Sequence, residues 1–342
     1  MSTRERSTRE PIATIHTALR EVLERVPDVR PVTLGAALPL ERMPGDPEVP
    51  HLSEAEPVEE RTVRAHAVPG EPTPGFAAFL DGAQESRVLA WMGAAPIVYG
   101  RVAAVIRERV QRRLVTWREP LVERRLYAPL AYTGRDALEA AFPPPALIDT
   151  VPPDANGEIP KPHPILLLDR ARSAVSRARE LLERRLAERW CDAEQRPLLI
   201  DGGIGASETV AHAPCVVGVV KSHRTLYLDG AALDTVLGLR LGERSTVIRI
   251  APRGPHTASV LSWYLRLRSP DGHDALWGLV RVEVADSERF ASPADAARVT
   301  ERADTVSRWV LAERAPISLP DPRWDKMVYG VRNAEEYLKS VE

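Results

Sequence analysis

Apolar residues fall at helical spacing between Glu10 and Pro27, where Ile12, Ile15, Leu19, Val22 and Leu23 share one side. That period then lapses. From about Pro39 to Pro74 the chain is rich in proline and glutamate, which predicts an extended arm or connector. Phe79-Leu80, Arg87 to Met92 and Pro96 to Gly100 follow as strand-like runs. Val102 to Arg113 is amphipathic: Val102, Val105, Ile106 and Val110 stand against Arg101, Arg107, Arg109, Arg112 and Arg113, which predicts a helix with a basic face. Prolines at 143–145, 152–153 and between 160 and 164 predict irregular connection. A long helix is expected over Leu167 to Trp190, leading into Leu198-Leu199-Ile200. Later strands are expected over Cys215–Val220, Val247–Ile250, Ser259–Leu267 and Leu276–Val284, with helices at Pro293–Ala312 and Ala334–Val341. Strands interrupted by helices, some of them in hairpin-like neighbours, predict a mixed α/β sheet flanked by helices.

Two of the apolar runs end alike, Phe79-Leu80-Asp81-Gly82 and Leu198-Leu199-Ile200-Asp201-Gly202-Gly203. A buried strand that stops at Asp-Gly puts a carboxylate at the sheet edge, where the backbone turns freely and a cation has access. Each could be an ordinary turn, since both residue types favour one; the repetition points instead to one shared site. Two unit charges about 4 Å apart repel by roughly 4 kcal/mol at an effective dielectric near 20. Mg²⁺ or Mn²⁺ between them would remove that cost.

A chain of 342 residues, 44% hydrophobic and 27% charged, has the composition of a globular protein with one large domain or two smaller ones. No apolar run spans a bilayer, and the first residues lack a signal-peptide core, so a cytoplasmic location is expected. Cys191 and Cys215 are too far apart in sequence for a zinc pattern and read as packed thiols. The net charge of −2 confines any polyanion surface to a local patch. The arginines at 101–113 supply one candidate, with a solvated face as the plain alternative. His163, His223, His256 and His273 stand singly, and no Gly-Lys-Ser/Thr phosphate loop occurs, so ATP hydrolysis by this chain is not expected.

The order strand-Asp, helix-Glu, strand-Asp, late polar residue resembles that of RNase H-like metal nucleases. In detail the chain resembles the NurA family, DNA-end-processing nucleases that work with the HerA hexameric ATPase. Four motifs carry the resemblance: Phe79-Leu80-Asp81-Gly82, Leu199-Ile200-Asp201-Gly202, Val216-Val217-Gly218-Val219-Val220-Lys221-Ser222, and Leu279-Val280-Arg281-Val282-Glu283. It covers about residues 75 to 340 and divides the chain into an N-terminal helix and Pro/Glu-rich arm (1–74) and a nuclease domain (75–342) with a helical or irregular insertion at about 101–165. Two departures from the family pattern stand out. Glu335 in Tyr329-Gly330-Val331-Arg332-Asn333-Ala334-Glu335 occupies the place of a histidine, and Ala83-Gln84 replaces a small hydroxyl residue.

The resemblance implies metal-assisted phosphodiester hydrolysis with about two Mn²⁺ or Mg²⁺ ions held by Asp81, Asp201 and a glutamate of the long helix. Glu183 is the expected helix ligand, with Glu180 three residues away on the same face as the alternative. Glu335 would be a peripheral ligand or water-orienting group. Lys221, Arg107, Arg112, Arg113 and Tyr329 are the expected DNA contacts, while Arg281 and Glu283 are expected to pair with neighbours. The implied partners are DNA, a HerA-like hexameric ATPase and a second copy of the chain, in DNA end processing or anti-phage defence and without a membrane. The alternatives are a catalytically weakened DNA-binding or structural subunit of a motor complex, and a related enzyme acting on RNA or a hybrid.

Overall fold

The computed structural model describes residues 12–23, 29–31, 50–111, 113–154, 157–159, 161–252, 254, 257–286, 293–314 and 329–340. In chain order the principal elements are α1 (Ile12–Leu23), β1 (Ala78–Met92), β2 (Ala95–Val110), β3 (Arg113–Thr116), β4 (Leu121–Ala128), α2 (Arg135–Ala141), β5 (Leu147–Asp149), α3 (Pro164–Ala193), β6 (Leu198–Asp201), β7 (Val216–Val220), α4 (Gly230–Leu237), β8 (Ile248–Ile250), β9 (Val260–Arg266), β10 (Leu279–Ala285), α5 (Pro293–Ala312) and α6 (Tyr329–Ser340). This is the expected mixed α/β class. The chain forms two compact units. One contains α1, residues 82–104 and residues 120–182; the other contains residues from 50 to 81, 105–119 and those from 183 onward.

The first unit is built on β2 and β4, antiparallel from Val98↔Tyr127 to Ala104↔Leu121, with β5 parallel to β4. Helix α1 buries Ile15, Leu19 and Leu23, spaced by four, against Leu89, Ile97, Tyr99 and Leu126.

In the second unit β6 lies between two parallel neighbours. Leu198, Leu199 and Ile200 pair with Ala78, Phe79 and Leu80 on one side, and with Val216, Val217 and Gly218 on the other. Both β6 and β7 read as continuous apolar runs because a parallel strand here is covered on both faces. Beyond β7 the order continues antiparallel through β10, β9 and β8. Helix α5 places Val299, Ala303, Val306 and Val310 on this sheet's core, together with Phe79, Leu199, Val217 and Trp263.

Three features differ from the expectations. Val102 to Val110 is strand, not helix: Val102 to Ile106 are all buried, so the segment is covered on both faces and its β-branched residues pack in a sheet. The 101–165 stretch is accordingly mostly ordered strand and helix, including β3, β4, α2 and β5. The Pro/Glu-rich segment does not group with α1. From residue 50 it belongs to the second unit, where Ala65–Ala67 pairs with Glu243–Ser245, Glu56–Pro57 pairs with β8, and His51–Leu52 pairs with Thr225–Leu226. Its residues before 50 lie outside the described residues.

Candidate metal centre

Parallel pairing of Ile200 with Leu80 brings the next residue of each strand, Asp201 and Asp81, to the same level of the sheet. Strand β6 ends at Asp201, where Gly202 turns at φ 144° and donates its N–H to Val219 O at 3.1 Å. Strand β1 does not end at Asp81 but runs on through Gly82 to Met92, so only one of the two Asp-Gly pairs is a strand terminus. Gly218 is needed beside this turn, because a Cβ there would meet Gly202 O at 2.6 Å.

Helix α6 brings Glu335 to the same place. Its Gly330 lies flat on the Phe79 ring, where a Cβ would sit 2.3 Å from ring carbons. One carboxylate oxygen from each of Asp81, Asp201 and Glu335 lies within 4.8 Å of the others. Asp81 is buried, and its carboxyl is held well above the usual range. Burial is the main cause, the negative charges of Asp201 and Glu335 add to it, and Glu183 contributes a smaller push in the same direction. Lys221 opposes them; its Nζ is 2.9 Å from Asp201 Oδ1.

The other expected site residues fall in several places. Glu183 acts on Asp81 through its charge but is not among the three converging carboxylates. Glu180 is well exposed and 3.9 Å from Arg179. Arg107 points at helix α6, with Nε donating to Asn333 Oδ1 at 3.0 Å. Arg113 is exposed on β3, and Arg112 lies outside the described residues, as does the side chain of Tyr329. Gln84 joins Ser176 and Arg179 in the first unit.

Arg281 and Glu283 were expected only to pair with neighbours, and the structure gives Glu283 a second contact. They pair with each other at 2.7 Å, and Glu283 Oε2 accepts the Ile204 N–H at 2.8 Å. On the other side Ser207 donates to Glu188 Oε1 at 2.7 Å. The Gly-rich turn after Asp201 is thus anchored at two points. The signal was present in Gly203, whose missing Cβ leaves room for the Glu283 carboxylate: a Cβ there would lie 3.0 Å from Glu283 Oε2.

The chemistry of the donors suits a hard divalent cation. Three carboxylates without a cysteine or histidine form an oxygen-only set, the kind preferred by Mg²⁺ and Mn²⁺. A cation would also offset the mutual repulsion that Lys221 opposes. No protein-family profile matches the chain, and no match is found among curated proteins. The resemblance to NurA nucleases expected from the sequence therefore has no support beyond the four short motifs and their order.

Proposed function

We propose that this protein is a metal-dependent phosphodiesterase acting on DNA, with Asp81, Asp201 and Glu335 holding Mn²⁺ or Mg²⁺. The observation that carries this reading is the convergence of three carboxylates from two parallel strands and a late helix around a buried aspartate. When bound, the metal supplies an activated water and stabilisation of the leaving oxygen. Asp81 and Asp201, fixed by strand pairing, provide the rigid part of the cradle. Glu335 closes it, and Glu183 adds negative charge from α3. Lys221 neutralises Asp201 while the cradle is empty of substrate and meets a phosphate oxygen as a point charge when DNA is present. Translocation along DNA is assigned to a separate hexameric ATPase of the HerA type, with this chain acting as a homodimer.

The test is cleavage of end-labelled single- and double-stranded DNA with Mn²⁺ or Mg²⁺, comparing the wild-type chain with Asp81→Ala and Asp201→Ala, with and without the motor. Metal-dependent cutting that either substitution reduces by about 10³-fold or more supports the reading. Absence of cutting alongside intact DNA or motor binding replaces it with a structural subunit. Glu335 in place of the family histidine is the feature that favours that second outcome.

A further inference from the structure

We propose that Arg107 is a positioning residue for the acidic cluster, clamping helix α6 so that Glu335 is held against Asp81 and Asp201. The proposal rests on the metal-site reading above and reassigns a residue expected to contact DNA. All three guanidinium nitrogens are engaged: Nε donates to Asn333 Oδ1 at 3.0 Å, Nη1 to Thr116 Oγ1 at 2.5 Å, and Nη2 to Leu114 O at 2.6 Å. The Tyr337 ring covers one face of the cation, 4.5 Å from Cζ. Arg107 thus ties the β2–β3 hairpin to two residues of α6. Removal from water pushes its pKa down, consistent with a cation sheltered in the fold.

The geometry explains why such a clamp is needed. Asn333 and Tyr337 are four residues apart and share a flank of α6, while Glu335 is turned from Asn333 by roughly 200° at about 100° per residue. Arg107 therefore grips the helix on a side away from the carboxylates. Asp201 is paired with Val219 and Asp81 lies within strand β1, whereas Glu335 is carried by helix α6. Two carboxylates about 4 Å apart repel by roughly 4 kcal/mol at an effective dielectric near 20, and the helix is the part free to yield. Gly330 against Phe79 seats α6 from below, and Arg107 holds its flank. A lysine has no rigid fork to span these three acceptors and offers no planar face to Tyr337, so it replaces arginine only in part.

The experiment measures Mn²⁺ binding calorimetrically on the full, metal-stripped chain without DNA, for wild type, Arg107→Gln and Arg107→Lys, each with Glu335 or with Glu335→Gln. Hydrogen exchange over residues 329–340 is followed in parallel. We expect Arg107→Gln to weaken Mn²⁺ binding about 10-fold, the cost typical of a lost partner behind a ligand. Exchange in α6 accelerates, Arg107→Lys recovers part of the loss, and Arg107→Gln adds nothing once Glu335 is glutamine. An undiminished effect in the Glu335→Gln background overturns the proposal. So does unchanged Mn²⁺ affinity in Arg107→Gln. A wild-type chain that binds no Mn²⁺ removes the metal-site reading itself, and that outcome is distinct from a metal-binding wild type that is indifferent to Arg107. Should Arg107→Gln fail to fold, Asn333→Ala deletes a single partner and carries the same comparison.

Discussion

Asp81 is the residue on which the site turns, and its environment gives it a pH signature. Its carboxyl is raised by burial first, then by Asp201 and Glu335. A raised carboxyl binds its proton more tightly in the folded chain than in the unfolded one. The metal-free protein therefore has the whole of this contribution below the ordinary carboxylate range and loses it as pH rises through the raised value. Asp81→Asn removes the charge at every pH. In EDTA its melting temperature should exceed that of wild type at neutral pH and converge with it in acid. Thermal denaturation from about pH 4 to about pH 8 measures this, and parallel curves would refute the electrostatic account. Added Mn²⁺ should reverse the order, stabilising wild type above the variant by mass action. The sequence made Asp81 and Asp201 legible because a repeated apolar-Asp-Gly ending is local. The Arg107–Asn333 contact was not legible, because a basic residue looks the same in sequence whether it faces solvent or Asn333.

Among the elements, β2 shows where pattern reading fails and α6 shows what holds the site. Val102 to Ile106 are buried in succession, which destroys the period-two alternation that marks a half-exposed strand. The arginines that follow then mimic an amphipathic helix. Helices α3 and α5 were legible over nearly their full length, since a long period close to 3.6 has few competing explanations. For α6 the decisive residue is Gly330, against the Phe79 ring. Gly330→Ala should destabilise the fold by about 1–3 kcal/mol through overpacking and should also weaken Mn²⁺ binding, because displacement of the helix carries Glu335 with it. Urea denaturation with calorimetric Mn²⁺ titration checks both effects. Pairing the change with Phe79→Leu, which clears the ring, should recover part of the metal affinity; failure to do so would separate helix seating from the site.

At the scale of the whole molecule, much of the order of strands and helices after residue 164 could be read from the chain, but neither the strands of 101–149 nor the place of its Pro/Glu-rich segment could. That segment is fixed by partners more than 150 residues away, such as Arg244 for Glu59, and no local pattern announces them. The Glu59 carboxylate, on a side chain only 4% exposed, takes two hydrogen bonds from Arg244, one from the Val247 N–H and one from Thr300 Oγ1. Burial alone would raise its carboxyl, yet the Arg244 hydrogen bonds and charge, with Val247 and Thr300, leave it lowered overall. A lowered carboxyl contributes stability above the ordinary glutamate range, and that contribution is lost as pH falls through the lowered value. Glu59→Ala leaves Arg244 with Asp304 as its counter-charge but removes the bidentate partner and the acceptor of the Val247 N–H, so it should cost about 1–3 kcal/mol at neutral pH. An extended segment of this kind is also a candidate surface for docking the hexameric ATPase proposed above, and its pairing within the second unit decides how that role has to be tested. A chain beginning at residue 75 loses Glu59 and the strands that pair with Glu243–Ser245 and β8, so it should fail to fold. Its failure to bind a motor would then say nothing about docking. Charge reversal at exposed Glu54 and Glu71 leaves those contacts in place and should keep the wild-type melting temperature within about 2 °C. If the segment docks on a motor through its acidic face, those two substitutions should reduce co-purification while the fold remains intact; undiminished co-purification would assign the segment to the sheet alone.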